Sequence, residues 1–256
     1  MATVSSVDEG PLSHNLQGQR LGRKGRGTRE RILAATERLL AGPLDAPISL
    51  SAVAREASLG MTTLYLYFSD LTELLLAVLE PVMRSAEERY VGHARERWPD
   101  EELAQHCRRF VEAYHGFWEQ NSRLLHLRNS YADNQDPRML EHRIETTRPL
   151  IGLLVRQMDG DPKAQLSPTF GVATTLLTAI ERLVTVSTDA NFPTLLIEDP
   201  KLHIQNLLGG AARLLELGIR DRRAAESAIL PGTGRGTAEG GGGGPASGTK
   251  PRSRRE

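Results

Sequence analysis

The sequence predicts an all-α protein. Apolar residues recur at three- and four-residue spacing along almost the whole stretch from 28 to 228. No segment sustains the alternation and β-branched enrichment of a strand. Aromatic residues make up only 5% of the chain, while Leu, Ala, Arg and Glu are abundant, a bias toward helix. With 39% hydrophobic and 25% charged residues, the chain has the balance of a globular protein with a sizeable core.

The first helix begins near Thr28, carries Ile32, Ala35, Leu39 and Leu40 on one side, and stops at Gly42-Pro43. A short second helix opens at Ser49, whose hydroxyl suits an N-cap, and shows Leu50, Val53, Ala54 and Ala57 at helical spacing. Ser58-Leu59-Gly60 breaks it, and a third segment runs from Met61 to Phe68. Asp70 and Glu73 have capping-box spacing for a fourth helix with a stripe from Leu71 to Ala86, which Pro81 should kink or split. Further helices are predicted at about 101–120, 121–132, 137–158 (interrupted by Pro149), 166–187 and 200–222. Asp159-Gly160-Asp161-Pro162 is a strong stop, and Phe192-Pro193 and Asp199-Pro200 mark the last connection.

The ends differ from the middle. Residues 1–27 read as a flexible basic arm, and residues 229–256 as a disordered Gly-rich tail unable to offset the entropy cost of ordering. Formal net charge is zero, so attraction to a polyanion must come from a local patch. Arg20, Arg23, Lys24, Arg26, Arg29 and Arg31 supply one, opposed only by Glu30. The single cysteine, Cys107, excludes an internal disulfide and a thiolate zinc cage, and its place between Leu103 and Phe110 makes it a small core residue. No apolar run approaches the roughly 20 residues that cross a bilayer, and the first residues lack a signal-peptide pattern. A reducing cytoplasm, with no membrane association, is the expected setting.

Within residues 28–68 the turn is the informative feature. Small residues at Ala54 and Ala57 allow a close approach of helices, Leu59 plugs the corner, and Gly60 is free to take backbone angles that a side chain resists. Leu64 and Phe68 anchor the third helix and leave Thr62, Thr63, Tyr65 and Tyr67 to face outward, the geometry of a recognition helix offered to a major groove. The stretches Thr28-Arg-Glu-Arg-Ile-Leu-Ala-Ala, Ser49-Leu-Ser-Ala-Val-Ala-Arg-Glu-Ala and Thr63-Leu-Tyr-Leu-Tyr-Phe resemble, in order and spacing, the N-terminal domain of TetR-type transcription regulators. The resemblance covers roughly residues 28–80.

The resemblance implies a helix-turn-helix DNA-binding domain at 28–75 and a helical ligand-binding and dimerisation domain at 76–228. It implies DNA contacts from Met61, Thr62, Thr63, Tyr65 and Tyr67, with Ser49 and Arg55 near the backbone; Arg26 and Arg29 of the basic arm are the added phosphate contacts. Two departures stand out: the usual Gly-Val-Ser turn is Ser58-Leu59-Gly60, and the lysine that commonly opens helix four is Leu71. Helix three also has no positive charge, so affinity must lean on the arm and Arg55.

For the body, Phe110, Tyr114, Trp118, His126, Met158, Phe170 and Thr174 are the candidate lining of a mostly apolar effector pocket, with plain core as the competing reading. Leu176, Ile180, Leu183, Leu207, Ala211 and Leu214 lie on broad apolar faces of the last two helices. In TetR-type proteins the matching helices form a four-helix dimer interface, and a two-fold homodimer predicts a palindromic operator. The expected partners are therefore operator DNA, a small effector and a second copy, with helix four as the lever between domains and Pro81 its pivot. No catalytic or metal site is expected and no cofactor. The sequence has no phosphate loop or nucleophile elbow, and His106, His115, His126 and His142 lack metal-ligand spacing. An adaptor that has lost DNA binding is the alternative, and an enzyme the more remote one.

Overall fold

The computed structural model describes residues 22–43, 46–189 and 199–229. The expected flexibility of residues 1–21 and 230–256, and the Phe192-Pro193 part of the last connection, lie outside them. Every element among the described residues is helical, as the apolar spacing requires: α1 (Arg23–Ala41), α2 (Leu50–Glu56), α3 (Met61–Tyr65), α4 (Leu71–Ala86), α5 (Leu103–Gln120), α6 (Ser122–Asp133), α7 (Pro137–Gln157), α8 (Pro168–Ser187) and α9 (Pro200–Ile229).

The first four helices close a small core of their own from Ile32, Ala35, Val53, Ala54, Ala57, Leu64, Phe68 and Leu74. Helix α1 starts earlier than its apolar period suggests, so Arg23–Gly27, expected in a flexible arm, form its first turns. At α2 the Ser49 hydroxyl accepts the Ala52 N–H at 3.2 Å, the cap its sequence position predicts. Asp70 caps α4 by accepting the Glu73 N–H at 2.9 Å. The Glu73 carboxylate reaches back one residue further than a capping box, to the Ser69 N–H and hydroxyl, both at 2.7 Å.

Pro81 does not split α4 and Pro149 does not interrupt α7: both helices run through unbroken. Both prolines lie on the exposed side, where water can take the bond that the missing N–H forfeits. The irregularity comes after α4 instead, as a π-helical turn at Glu87–Val91 followed by a 3-10 turn at Gly92–Ala94. The π turn carries Tyr90 into the larger core, edge-on to Tyr114 and Phe117 with centroids 4.9 and 5.2 Å away. Trp98 is then fixed by its indole N–H on the His93 carbonyl (2.6 Å) and by the buried amide of Gln157.

That larger core spans α4 to α9 and has α5 at its centre. Cys107 is fully buried in it, and burial pushes its thiol up to about 12, the behaviour of an inert packing residue. Helix α8 corrects one expectation: over Pro168–Ser187 it is long and apolar enough to cross a membrane by length and composition. Here it packs Ala173, Leu177, Ile180 and Val184 into the core beside α5, α7 and α9.

Candidate DNA-reading end and effector cleft

Helix α2 ends in a Schellman motif. The Leu59 N–H bonds to the Ala54 carbonyl at 2.8 Å and the Ser58 N–H to the Arg55 carbonyl at 3.1 Å. The residue that takes the left-handed conformation is Ser58, at φ 52°, not Gly60, which has φ −74° and ψ 150° and open space around its Cα. The freedom assigned to Gly60 is therefore not used. A serine occupies the position where glycine is cheapest.

Helix α3 turns Leu64 inward with no exposed surface and presents Thr62, Tyr65 and Leu66 outward, the last two 48% exposed. Leu66 carries no apolar period and was invisible as a surface residue in the sequence. Met61 and Tyr67 are half-buried against the domain core, and Thr63 is half-buried. Arg55 is exposed in the last turn of α2, whereas the Ser49 hydroxyl is occupied by its cap and by Ser51 at 3.0 Å. Arg29 lies over the Phe68 ring, 5.4 Å from its centroid, so its charge sits at the base of α3; Arg26 is on the exposed side of the first turns of α1.

Two polar clasps join this domain to the body. From the first turn of α6, Arg123 donates to the carbonyls of Leu39 (2.7 Å), Gly42 (3.2 Å) and Ala46, closing the C-terminal end of α1. From the first turn of α7, Arg138 donates to Asp70 at 3.0 Å, and Asp136 just before that turn accepts the Thr72 hydroxyl at 2.7 Å. Burial raises the Asp136 carboxyl, but the Thr72 hydroxyl, two backbone N–H groups and Arg138 outweigh it and hold it below its ordinary range. Beside the Arg123 clasp lies a cleft of about 470 Å³ between α1, α4 and the α5–α6 turn.

The expected effector pocket is mostly solid. Phe110, Tyr114, Trp118 and Met158 are buried side chains of the main core. Neighbouring rings fill the space between them, with Tyr114 stacked on Phe110 at 6.2 Å and tilted against Trp118 at 6.4 Å. His126 stands edge-on to Trp118 and shares a 3.2 Å hydrogen bond with the Thr188 hydroxyl. Phe170 and Thr174 border a cavity. It is a cleft of about 610 Å³ walled by α6, α7 and α8.

Behind Asn129 and Glu181, which line that cleft, lies a buried cation of which the sequence shows no sign. Arg128 is 4% exposed, sits over Trp118 at 5.6 Å, donates to the Asn129 side chain at 3.0 Å and pairs with Glu181 at 3.6 Å. Burial lowers its pKa, partly offset by Tyr114 and Glu181. An arginine within an otherwise ordinary helical stripe gives no sequence signal of burial.

The expected dimer residues divide. Ile180 (2% exposed) and Ala211 (8%) face into the protomer's own core and are not available to a partner. Leu176 meets α9 at Gly218, where an added Cβ would lie 2.6 Å from its Cδ1. Leu183 and Leu207 are half-buried, and Leu214 is exposed, with Leu217 one turn on.

No family model matches the chain, and no curated protein matches it by sequence. Solved structures do. A TetR-like transcriptional regulator from Rhodococcus sp. RHA1 shares 20% identity and a TM-score of 0.49, over 80% of this chain and 99% of that one. A TetR-family transcriptional regulator from Haemophilus influenzae shares 19% identity and a TM-score of 0.40, over 74% of this chain and 98% of that one.

Proposed function

We propose that the chain is a DNA-binding transcription regulator of the TetR type, a cytoplasmic homodimer that holds a palindromic operator and releases it when a small effector binds the body. The observation that carries this reading is the pairing of an outward α3 with two clasps from the body. Thr62, Tyr65 and neighbouring Arg55 form a projecting face on a rigid three-helix unit. Arg123 and Arg138 tie that unit to the helices that wall the α6–α7–α8 cleft. A recognition surface so coupled is what a ligand-controlled binder requires. In this reading the DNA-binding unit runs from 28 to 75, extended N-terminally by the basic turns of α1. The body spans 76–228, and two copies pair through the outer faces of α8 and α9.

A second reading has an observation in its favour. Helix α3 has no charged residue and exposes Leu66 and Tyr65, which suits a protein partner as well as a groove. Selection of bound fragments from the source genome by the purified protein, at two salt concentrations, separates the two. One palindromic motif, lost in Tyr65→Ala and with a salt slope about one unit shallower in Arg55→Ala, supports the regulator. Recovery of all sequences equally, or none, favours the adaptor.

A further inference from the structure

We propose that the α6–α7–α8 cleft takes a singly charged amphiphile, a carboxylate carried on a hydrocarbon tail. The proposal rests on the effector reading above and names the chemistry of that effector.

The charges of the cleft do not balance. Arg143, Arg148 and Arg182 border it, against Asp133 and Glu181. Asp133 is taken by Arg143 at 2.7 Å, and Glu181 is already paired with the buried Arg128 behind it. Arg148 on α7 and Arg182 on α8 are both exposed and have no ion-pair or hydrogen-bond partner among the described residues. Two guanidinium groups on opposing walls offer a carboxylate charge-assisted donors. The nearby carboxylates of Asp133 and Glu181 oppose a second negative charge, so a monoanion fits better than a dianion.

Three hydroxyls of the cleft act as acceptors. Thr174, Thr178 and Thr185 each give their proton to a carbonyl of their own helix, at 2.8, 2.8 and 2.7 Å. Beside the Asn129 and Gln165 amides and the Thr147 hydroxyl, the charged donors left for a ligand head are the arginines. Toward the α7–α8 turn the wall is apolar, with Ile151 and Phe170, while Ile144 (48% exposed) stands between Arg143 and Arg148. Helices α7 and α8 leave one turn in opposite directions, with Gly160 touching both Val155 and Thr169. Ile151 and Phe170 thus share the turn end, while Arg143, Glu181 and Arg182 share the other. At about 1.5 Å per residue Phe170 lies roughly 18 Å along α8 from Arg182, and an arginine side chain leaning back toward the helix N-terminus by about 6 Å leaves about 12 Å, the extended length of a ten-carbon chain. The head lies at Arg182 and Arg148, and the tail runs toward Phe170.

The test is calorimetric titration of the full chain, without DNA, with decanoate, decylammonium and acetate, all below micellar concentrations. Decanoate should bind at one per chain, with decylammonium and acetate at least about tenfold weaker, which is about 1.4 kcal/mol. Arg148→Gln with Arg182→Gln should weaken decanoate at least as much with an unchanged thermal melt, and Phe170→Ala should weaken it through the tail. Failure of decanoate to bind overturns the proposal. So does equal binding of decylammonium, or full affinity in both the arginine and the Phe170 variants. Operator binding by the same proteins without decanoate is scored separately, so its loss defeats the regulator reading alone, and a failed titration with intact operator binding defeats only this one.

Discussion

Arg123 makes the denser of the two clasps among the described residues, and its loss should loosen the two halves of the molecule from each other. Its guanidinium bonds to three carbonyls at the end of α1, those of Leu39, Gly42 and Ala46, with Leu40 at the 3.5 Å limit. The Leu39 carbonyl, in the last turn of α1, also accepts the Gly42 N–H at 3.2 Å and carries part of the negative end of the helix dipole, while Gly42 and Ala46 follow the helix. A hydrogen bond to a charged group contributes about 1.5–3 kcal/mol net. Two of the four contacts, to Leu39 and Gly42, lie within the ordinary range of N–H···O hydrogen bonds. The side chain is half-buried, so water recovers part of what is lost. Taking the low figure twice, Arg123→Ala should cost about 3 kcal/mol. Both tryptophans, Trp98 and Trp118, are buried in the body, so fluorescence reports the body alone while circular dichroism reports every helix. In denaturant, the variant should show a circular-dichroism midpoint well below its fluorescence midpoint, a wider gap than in the parent. Coincident transitions, with a loss under about 0.5 kcal/mol, would refute the clasp.

Three further outcomes follow from the geometry. Ser58→Gly should stabilise the protein by about 1 kcal/mol, because the left-handed angle costs serine and not glycine. Gly60→Ala should be nearly neutral in the same denaturant assay, and a large loss there would mean that the strain had been misplaced. Leu214→Asp with Leu217→Asp should halve the mass seen by light scattering while leaving helicity unchanged; an unchanged mass would exclude this face as the dimer contact. Burial and the nearby Arg128 hold the His142 imidazole below its ordinary range, so the unfolded chain takes up the proton first on acidification. Its contribution is therefore complete above about pH 6.5 and is lost as pH falls. His142→Gln should flatten the fall in stability between pH 7 and 5, and an unchanged slope would place the cause in other groups such as His115, also lowered by burial.

What could be read from the sequence was what short-range chemistry decides. Ser49 and Asp70 as caps, Leu64 and Phe68 as anchors and the order of the helices among the described residues follow from local spacing. Side chains whose role depends on tertiary neighbours were read less well. Phe110, Tyr114 and Trp118 form the same stripe whether they line a pocket or fill a core, and only the rings packed against them decide it. Ile180 and Leu214 both sit on apolar helix faces, yet one turns inward and the other out. Arg123 and Arg128 look like surface charges because a helix stripe shows which face is apolar, not what reaches over it.

The placement of the clasps also revises where motion would originate. An unbroken α4 makes Pro81 a poor pivot. Helices α6 and α7, however, both border the cleft and both begin at a contact with the DNA-reading domain. Helix α6 has 12 residues, about 18 Å. Treated as a rigid rod held at its cleft end, it moves Arg123 by about 1.5 Å for a tilt of roughly 5°. That displacement carries the 2.7 Å bond to Leu39 past hydrogen-bonding range. A ligand that occupies the cleft and displaces the Glu181 carboxylate from Arg128 would supply such a tilt, since Arg128 lies on the same helix five residues from Arg123. The work available is the ligand's preference for one arrangement over the other, typically about 1–3 kcal/mol, comparable to the clasp itself. The Arg123→Ala protein should therefore still bind the cleft ligand at nearly parental affinity while its operator affinity no longer responds to it. A response that survives in full would place the coupling in the Asp136–Arg138 clasp of α7 instead.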